Sequence, residues 1–134
     1  MHIEWDDEYS IGIEELDAHH KALIELLNTS YSLIMQENIQ VELSQLFDEL
    51  IEYAKYHFIT EEKLMQKYGY PEIDTHMVEH FNFCNKVLTY QKESKNGKKY
   101  VSIDVFDFIK HWLMDHELKI DFKMGTFIRV MQRI

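Results

Sequence analysis

From Ile13 to Asp121 apolar residues return every three or four positions, and little interrupts them. The chain holds 1 proline and 4 glycines among 134 residues, so helix breakers are scarce. A period near 3.6 sustained over such lengths belongs to amphipathic helices, whereas strands alternate with a period of two. A first helix is predicted over about 13–36, with Leu16, His20, Leu23, Leu27 and Ile34 on one face. A second, over about 41–68, carries Leu46, Leu50, His57, Glu61, Leu64 and Tyr68. Gly69 suits a left-handed cap after it, and Pro71 suits the first turn of the next helix. The third helix, over about 71–93, carries Ile73, His76, His80, Phe83, Cys84 and Val87. SKNGKK at 94–99 reads as a loop. A fourth helix is predicted over about 103–121, with Ser102 or Asp104 as N-cap, and a short helical tail over Phe122–Gln132 follows. Residues 1–12 read as a non-helical arm carrying Ile3, Trp5, Tyr9 and Ile11. Short connections make sequential helices antiparallel neighbours. The expected fold is all-α, an up-down-up-down four-helix bundle with an N-terminal arm, in one domain spanning 1–134.

The apolar stripes are not purely apolar. His57 and Glu61 are four apart, as are His76 and His80, so each pair shares a helix face. His20 and His116 lie on the inward faces of the first and fourth helices. Each helix thus aims at least one imidazole at the bundle axis. A single inward histidine is ordinarily a hydrogen-bonded core residue, and HxxxH or HxxxE alone is weak. The combination differs, because burying Glu61 and several imidazoles unpaired costs several kcal/mol. A metal centre removes that penalty. Imidazole and carboxylate ligands suit iron, zinc, copper or manganese. Five histidines with Glu61 and Asp121 exceed the needs of one tetrahedral zinc. They suit two ions sharing carboxylate bridges. The zinc-protease pattern is only half present, since His116-Glu117 is followed by Ile120 where a second histidine is required. None of the 8 histidines has a glutamate three residues before it, which disfavours the ExxH class of di-iron carboxylate proteins.

The formal net charge of -10 repels phosphate backbones, so nucleic acid is not an expected partner, and anionic membranes are disfavoured likewise. No apolar run approaches the ~20 residues of a membrane span. MHIEWDDEYS has neither a basic region nor an apolar region of a secretory signal, so a cytoplasmic setting is expected. Cys84 is the only cysteine and reads as a small buried hydrophobe.

Four segments carry a resemblance. These are W-x₃-YSIGIEELDAHHKAL from Trp5, HFITEEKLM, YPEIDTHMVEHF and HWLMDHELKID. They are similar, in order and spacing, to the arm and first helix, the HFxxEExxM, the YPxxxxHxxxHxxF and the WLxxHxxxxD segments of the hemerythrin family, in its bacterial branch. The resemblance covers nearly the whole chain. It implies two iron ions joined by an oxo or hydroxo bridge. His76, His80 and His116 would bind one iron, His20 and His57 the other, and Glu61 and Asp121 would bridge them. It implies dioxygen binding at the iron with two histidines, for carriage, storage or sensing; a monomer is expected, although the sequence does not set the oligomeric state. His19 competes with His20 for the first-helix role, but helical phase favours His20, and His19 reads as a supporting or surface group. His2 and His111 have no matching position and read as solvated. Trp112 and Leu113 are expected to wall the oxygen pocket.

One position departs from the family pattern. Glu117 stands where isoleucine is common after the fourth-helix histidine. Leu113, Glu117 and Asp121 are spaced by four, so Glu117 is expected to point into the oxygen pocket as an iron ligand or proton donor. His116 and Asp121, five apart, would be ~140° apart on a straight helix, so that helix must straddle the site or widen as a π turn does. The leading expectation is an oxygen-binding protein rather than an enzyme. The alternatives are a redox, peroxidase-like or NO-reactive centre governed by Glu117, and a sensor module.

Overall fold

The computed structural model of the chain describes residues 2–34, 39–96 and 101–134, and no strand occurs among them. The arm, expected to be non-helical, contains a 3₁₀ turn at Asp7–Tyr9. Asp6 starts that turn by accepting a hydrogen bond from the Glu8 amide at 2.8 Å. Helix α1 spans Glu14–Ile34, α2 Ile39–Tyr68 and α3 Ile73–Lys95. Helix α4 spans Val101–Trp112, a π-helical segment follows over Leu113–Ile120, and α5 spans Asp121–Gln132. The last three form one continuous rod. Helices α1 and α2, α2 and α3, α3 and α4, and α4 and α1 pack together, which closes the expected antiparallel four-helix bundle.

Local chemistry sets the ends. Gly69 adopts φ +69, a left-handed value, and the Tyr70 amide donates to the Met65 carbonyl at 2.9 Å. That six-to-one bond is a Schellman closure and satisfies a carbonyl that α2 would otherwise leave open. Pro71 lies in the turn ahead of α3 rather than in its first turn, because the helix starts only at Ile73. Helix α3 runs through Ser94 and Lys95, so the first part of SKNGKK is helical, and residues 97–99 of it lie outside the described residues. The expected end of the first helix near 36 also falls there. Helical backbone is already present at Val101, so neither Ser102 nor Asp104 caps the fourth helix. The expected helical tail over Phe122–Gln132 is present as α5, and it continues the fourth helix through the π segment without a break.

The arm is tied to the bundle at two points. Asn28 of α1 accepts from the Ile3 amide at 2.9 Å and donates to the Ile3 carbonyl at 2.6 Å. Asp17 accepts from the Ile11 amide at 2.8 Å and the Ser10 hydroxyl at 2.5 Å.

The core has two apolar bodies. The larger includes Leu23, Leu27, Leu50, Phe58, Phe83, Val87, Ile109 and Leu113. The smaller comprises Ile11, Leu16, Met65, Tyr70, Met124 and Ile128. The inward ligand-type residues fall between the two, except His57, which sits at the edge of the larger beside Phe58. His20 lies between Leu16 and Leu23, Glu61 between Phe58 and Met65, His76 and His80 between Tyr70 and Phe83, and His116 and Asp121 between Leu113 and Met124. The polar layer is therefore sealed by hydrocarbon above and below.

Candidate metal centre

All seven residues singled out as ligands meet in that layer. His20, His57, Glu61, His76, His80, His116 and Asp121 are each at most 3% exposed. They form two groups whose potential ligand atoms lie within 4.8 Å of one another. One is His76, His80 and His116 with Glu61 and Asp121; the other is His20 and His57 with the same two carboxylates.

The π segment makes this possible on the fourth helix. The Asp121 amide donates to the His116 carbonyl, five residues back. The wider turn brings to one side two residues that α-helical geometry would separate by ~140°. His116 Nε2 then lies 3.0 Å from Asp121 Oδ1.

Each carboxylate faces both groups. Asp121 Oδ1 is 3.0 Å from His76 Nε2, while Asp121 Oδ2 is 3.2 Å from His20 Nε2 and 3.8 Å from His57 Nε2. Glu61 Oε1 is 2.8 Å from His80 Nε2 and 3.3 Å from His76 Nε2, while Glu61 Oε2 is 3.3 Å from His57 Nε2. Several of these approaches are not hydrogen bonds. His116 Nε2, Glu61 Oε2 and both Asp121 oxygens are buried without a hydrogen-bond partner despite neighbours at 3.0–3.3 Å. Their lone pairs converge on shared space rather than on protons, which is the arrangement a cation requires. The donor set, imidazole and carboxylate, fits iron.

The electrostatics agree. Burial and the Asp121 charge push the Glu61 carboxyl up, but His57 and His76 more than reverse this and hold it below the usual range. Burial likewise opposes ionisation of Asp121, and His116, His20 and His57 hold it well below its ordinary value. Burial lowers His76, yet Asp121 and Glu61 carry it up to about 9. His57 and His20 are raised in the same way against their burial, His57 chiefly by Glu61 and His20 chiefly by Glu117. The two carboxylates thus favour the charged form of His57 and His76 against the penalty of burial.

The outer nitrogens have partners too. Glu62 meets His80 Nδ1 at 2.9 Å, and His19 meets His57 Nδ1 at 2.9 Å. His19 is thus a supporting group, and His20 is the inward one. Phe58 stacks on His80 with centroids 3.9 Å apart, and Trp112 stacks on His116 at 3.9 Å. Trp112 therefore walls the three-histidine side, and Leu113 belongs to the larger apolar body beside it. His2 and His111 are exposed, His111 meeting its own helix at the Asp107 carbonyl. Cys84 is partly rather than fully buried: it packs against the larger apolar body and lines an apolar groove of about 500 Å³ between α2 and α3. Burial, with the nearby Glu62, raises its thiol pKa.

Glu117 is fully buried. Its Oε2 stands 3.9 Å from His20 Nε2 and has no hydrogen-bond partner. Its Oε1 accepts a hydrogen bond from the Tyr53 hydroxyl. Tyr53 and Glu62 were missed in the sequence reading. Tyr53 carried a signal, since it lies four residues before His57 and eight before Glu61 on one face of α2.

An antiparallel four-helix bundle with a buried histidine–carboxylate centre of this kind defines a class of helical metal-binding proteins. A family model described as the hemerythrin HHE cation binding domain matches residues 11–128. A bacteriohemerythrin of Clostridium acetobutylicum is 34% identical over 122 residues, spanning 87% of this chain and 94% of that protein. A myohemerythrin of Theromyzon tessulatum is 27% identical over 120 residues, spanning 90% and 88% respectively. A crystal structure of wild-type hemerythrin, 28% identical, matches with a TM-score of 0.84 over 94% of this chain and 97% of that one. The chain belongs to the hemerythrin family. Among the described residues no helix is long and apolar enough to cross a membrane.

Proposed function

We propose that the chain is a non-haem di-iron protein that binds dioxygen on the side held by His20 and His57. One observation carries this reading: Glu61 and Asp121 each turn one oxygen to the three-histidine group and the other to the two-histidine group. His76, His80 and His116 would hold one iron, His20 and His57 the other, and the two carboxylates would join them. Such a pair supplies two-electron redox chemistry toward dioxygen. The rest falls to the protein. The apolar bodies above and below exclude bulk water, and the rings of Phe58 and Trp112 flank His80 and His116. Glu62 fixes the ring of His80, and His19 that of His57, so each presents Nε2 inward. Two histidines on one side against three on the other leave room for a small ligand beside His20 and His57.

Glu117 supports a second reading. Its unpartnered Oε2 lies on that two-histidine side, so Glu117 can occupy the open position or hold a proton there. The centre would then be redox-active or peroxidase-like rather than a reversible carrier, or the sensor of a signalling system. One experiment separates them. The iron-loaded protein is reduced without air, then exposed to dioxygen while its visible spectrum is recorded, with Glu117→Ile alongside. A reversible oxygen-dependent band in both proteins supports carriage, storage or sensing. Oxidation without the band in the wild type, with the band restored in the variant, supports the second reading. One zinc per chain instead of two irons would sink both.

A further inference from the structure

Tyr53 has no role in the reading above, yet among the described residues it is the one hydrogen-bond partner of the Glu117 side chain. Its hydroxyl holds Glu117 Oε1, and its ring lies almost parallel to His57, with 5.0 Å between centroids and 13° between planes. Glu117 is therefore held from behind by one oxygen while the other, buried and unpartnered, faces His20. A glutamate left alone there would lose several torsional freedoms on adopting one pose. A phenol bound to one oxygen restricts that pose in advance and leaves one oxygen to act as a ligand. Because Tyr53 and His57 are one turn apart on α2, the brace and the metal-side imidazole belong to one rigid element.

We propose that Tyr53 is a specificity-determining positioning residue, which fixes Glu117 as an internal single-oxygen ligand on the two-histidine side and so sets how well external small ligands compete for that position. The proposal rests on the two-iron reading and adds to it the residue that decides access. Without the phenol, Glu117 is free to leave the pose, and an external anion gains.

The test uses the oxidised, iron-loaded protein titrated with azide, a small anion that binds ferric iron, and followed by visible absorption. Removing the competing carboxylate in Glu117→Leu should tighten azide binding. Tyr53→Phe keeps the ring stack and loses only the hydroxyl, and should tighten it by about tenfold, the scale of one hydrogen bond. In the double variant the Tyr53 change should add nothing to Glu117→Leu, because it acts through Glu117. Unchanged or weaker azide binding in Tyr53→Phe overturns the proposal, as does a gain that adds to that of Glu117→Leu. Iron per chain, measured in every variant, keeps two failures apart. A chain without an iron pair fails the reading above together with the ligand role of Glu117. A two-iron chain with unaltered azide affinity fails this proposal alone. A second measurement needs no iron. Proton NMR of the metal-free protein should show one exchange-protected hydroxyl proton, lost in both Tyr53→Phe and Glu117→Leu. Its absence from the wild type also overturns the proposal.

Discussion

Asp121 and Glu61 are the residues on which a second ion depends, because each alone spans both histidine groups. An amide in place of either keeps the volume but removes a negative charge and one acceptor oxygen. Asp121→Asn and Glu61→Gln are therefore expected to hold at most one iron per chain, by metal analysis, while circular dichroism stays helical. Two irons in either variant would contradict the bridging role. Glu62→Gln is milder. It weakens the partner of His80 Nδ1 and should lower metal affinity by about 10–100-fold in competition with a chelator. Six of the seven inward residues were legible from sequence because a 3.6-residue period assigns each to a buried face, where an unpaired charge is costly, whereas Asp121, out of phase with His116, was legible only through the family resemblance. Glu62 was not legible. It sits one position after Glu61, ~100° round the helix, and from α2 alone it reads as a solvated glutamate. Only the approach of α3 shows that it meets His80. Tyr53 was hidden for a different reason: tyrosine on an inward stripe reads as core, and its hydroxyl partner lies 64 residues away.

The bundle was legible at the scale of elements, since among the described residues Gly12, Gly69 and Pro71 fall where the chain turns and only Gly125 sits inside a helix. The fourth rod was legible in part: the five-residue step from His116 to Asp121 called for a straddling or π-widened helix, but it left open that the helix resumes its phase at Met124 and Ile128. The π turn absorbs that step. That rod also anchors the arm. A Cβ built on Gly125 of α5 would come 2.7 Å from the Ile11 carbonyl oxygen and 3.2 Å from Ile11 Cβ. The first is backbone, held in turn by Asp17 through the Ile11 amide, so it cannot simply rotate away. Gly125→Ala is expected to destabilise by about 1–3 kcal/mol, the usual cost of overpacking. Urea unfolding should show this as a lower midpoint with an unchanged slope. A midpoint equal to the wild type would mean that the arm yields freely.

Across the whole molecule, a chain of net charge -10 encloses a core in which Glu61 and Asp121 raise the pKa of His57 and His76 and have their own lowered in return. In the metal-free protein this makes stability depend on pH from both sides. His76 is raised from 6.5 to about 9, so its contribution is full below about 6.5 and is lost as pH rises through about 9. His57 is raised in the same direction. Glu61 and Asp121 are depressed, so their contributions are present above their ordinary values of 4.5 and 3.8 and are lost as pH falls through the depressed ones. The metal-free protein is thus most stable in mildly acidic solution and weakens above it. Metal ligation runs the other way, since it needs neutral imidazoles and expels their protons. Iron removal should therefore lower the thermal midpoint, and the gap between loaded and metal-free protein should widen as pH is raised from 6.5 toward 9. Thermal unfolding of both forms across that range measures the gap directly. A gap that stays constant with pH would show that protons and metal do not share the cluster, and an unchanged midpoint on iron removal would show that ligation carries no folding energy.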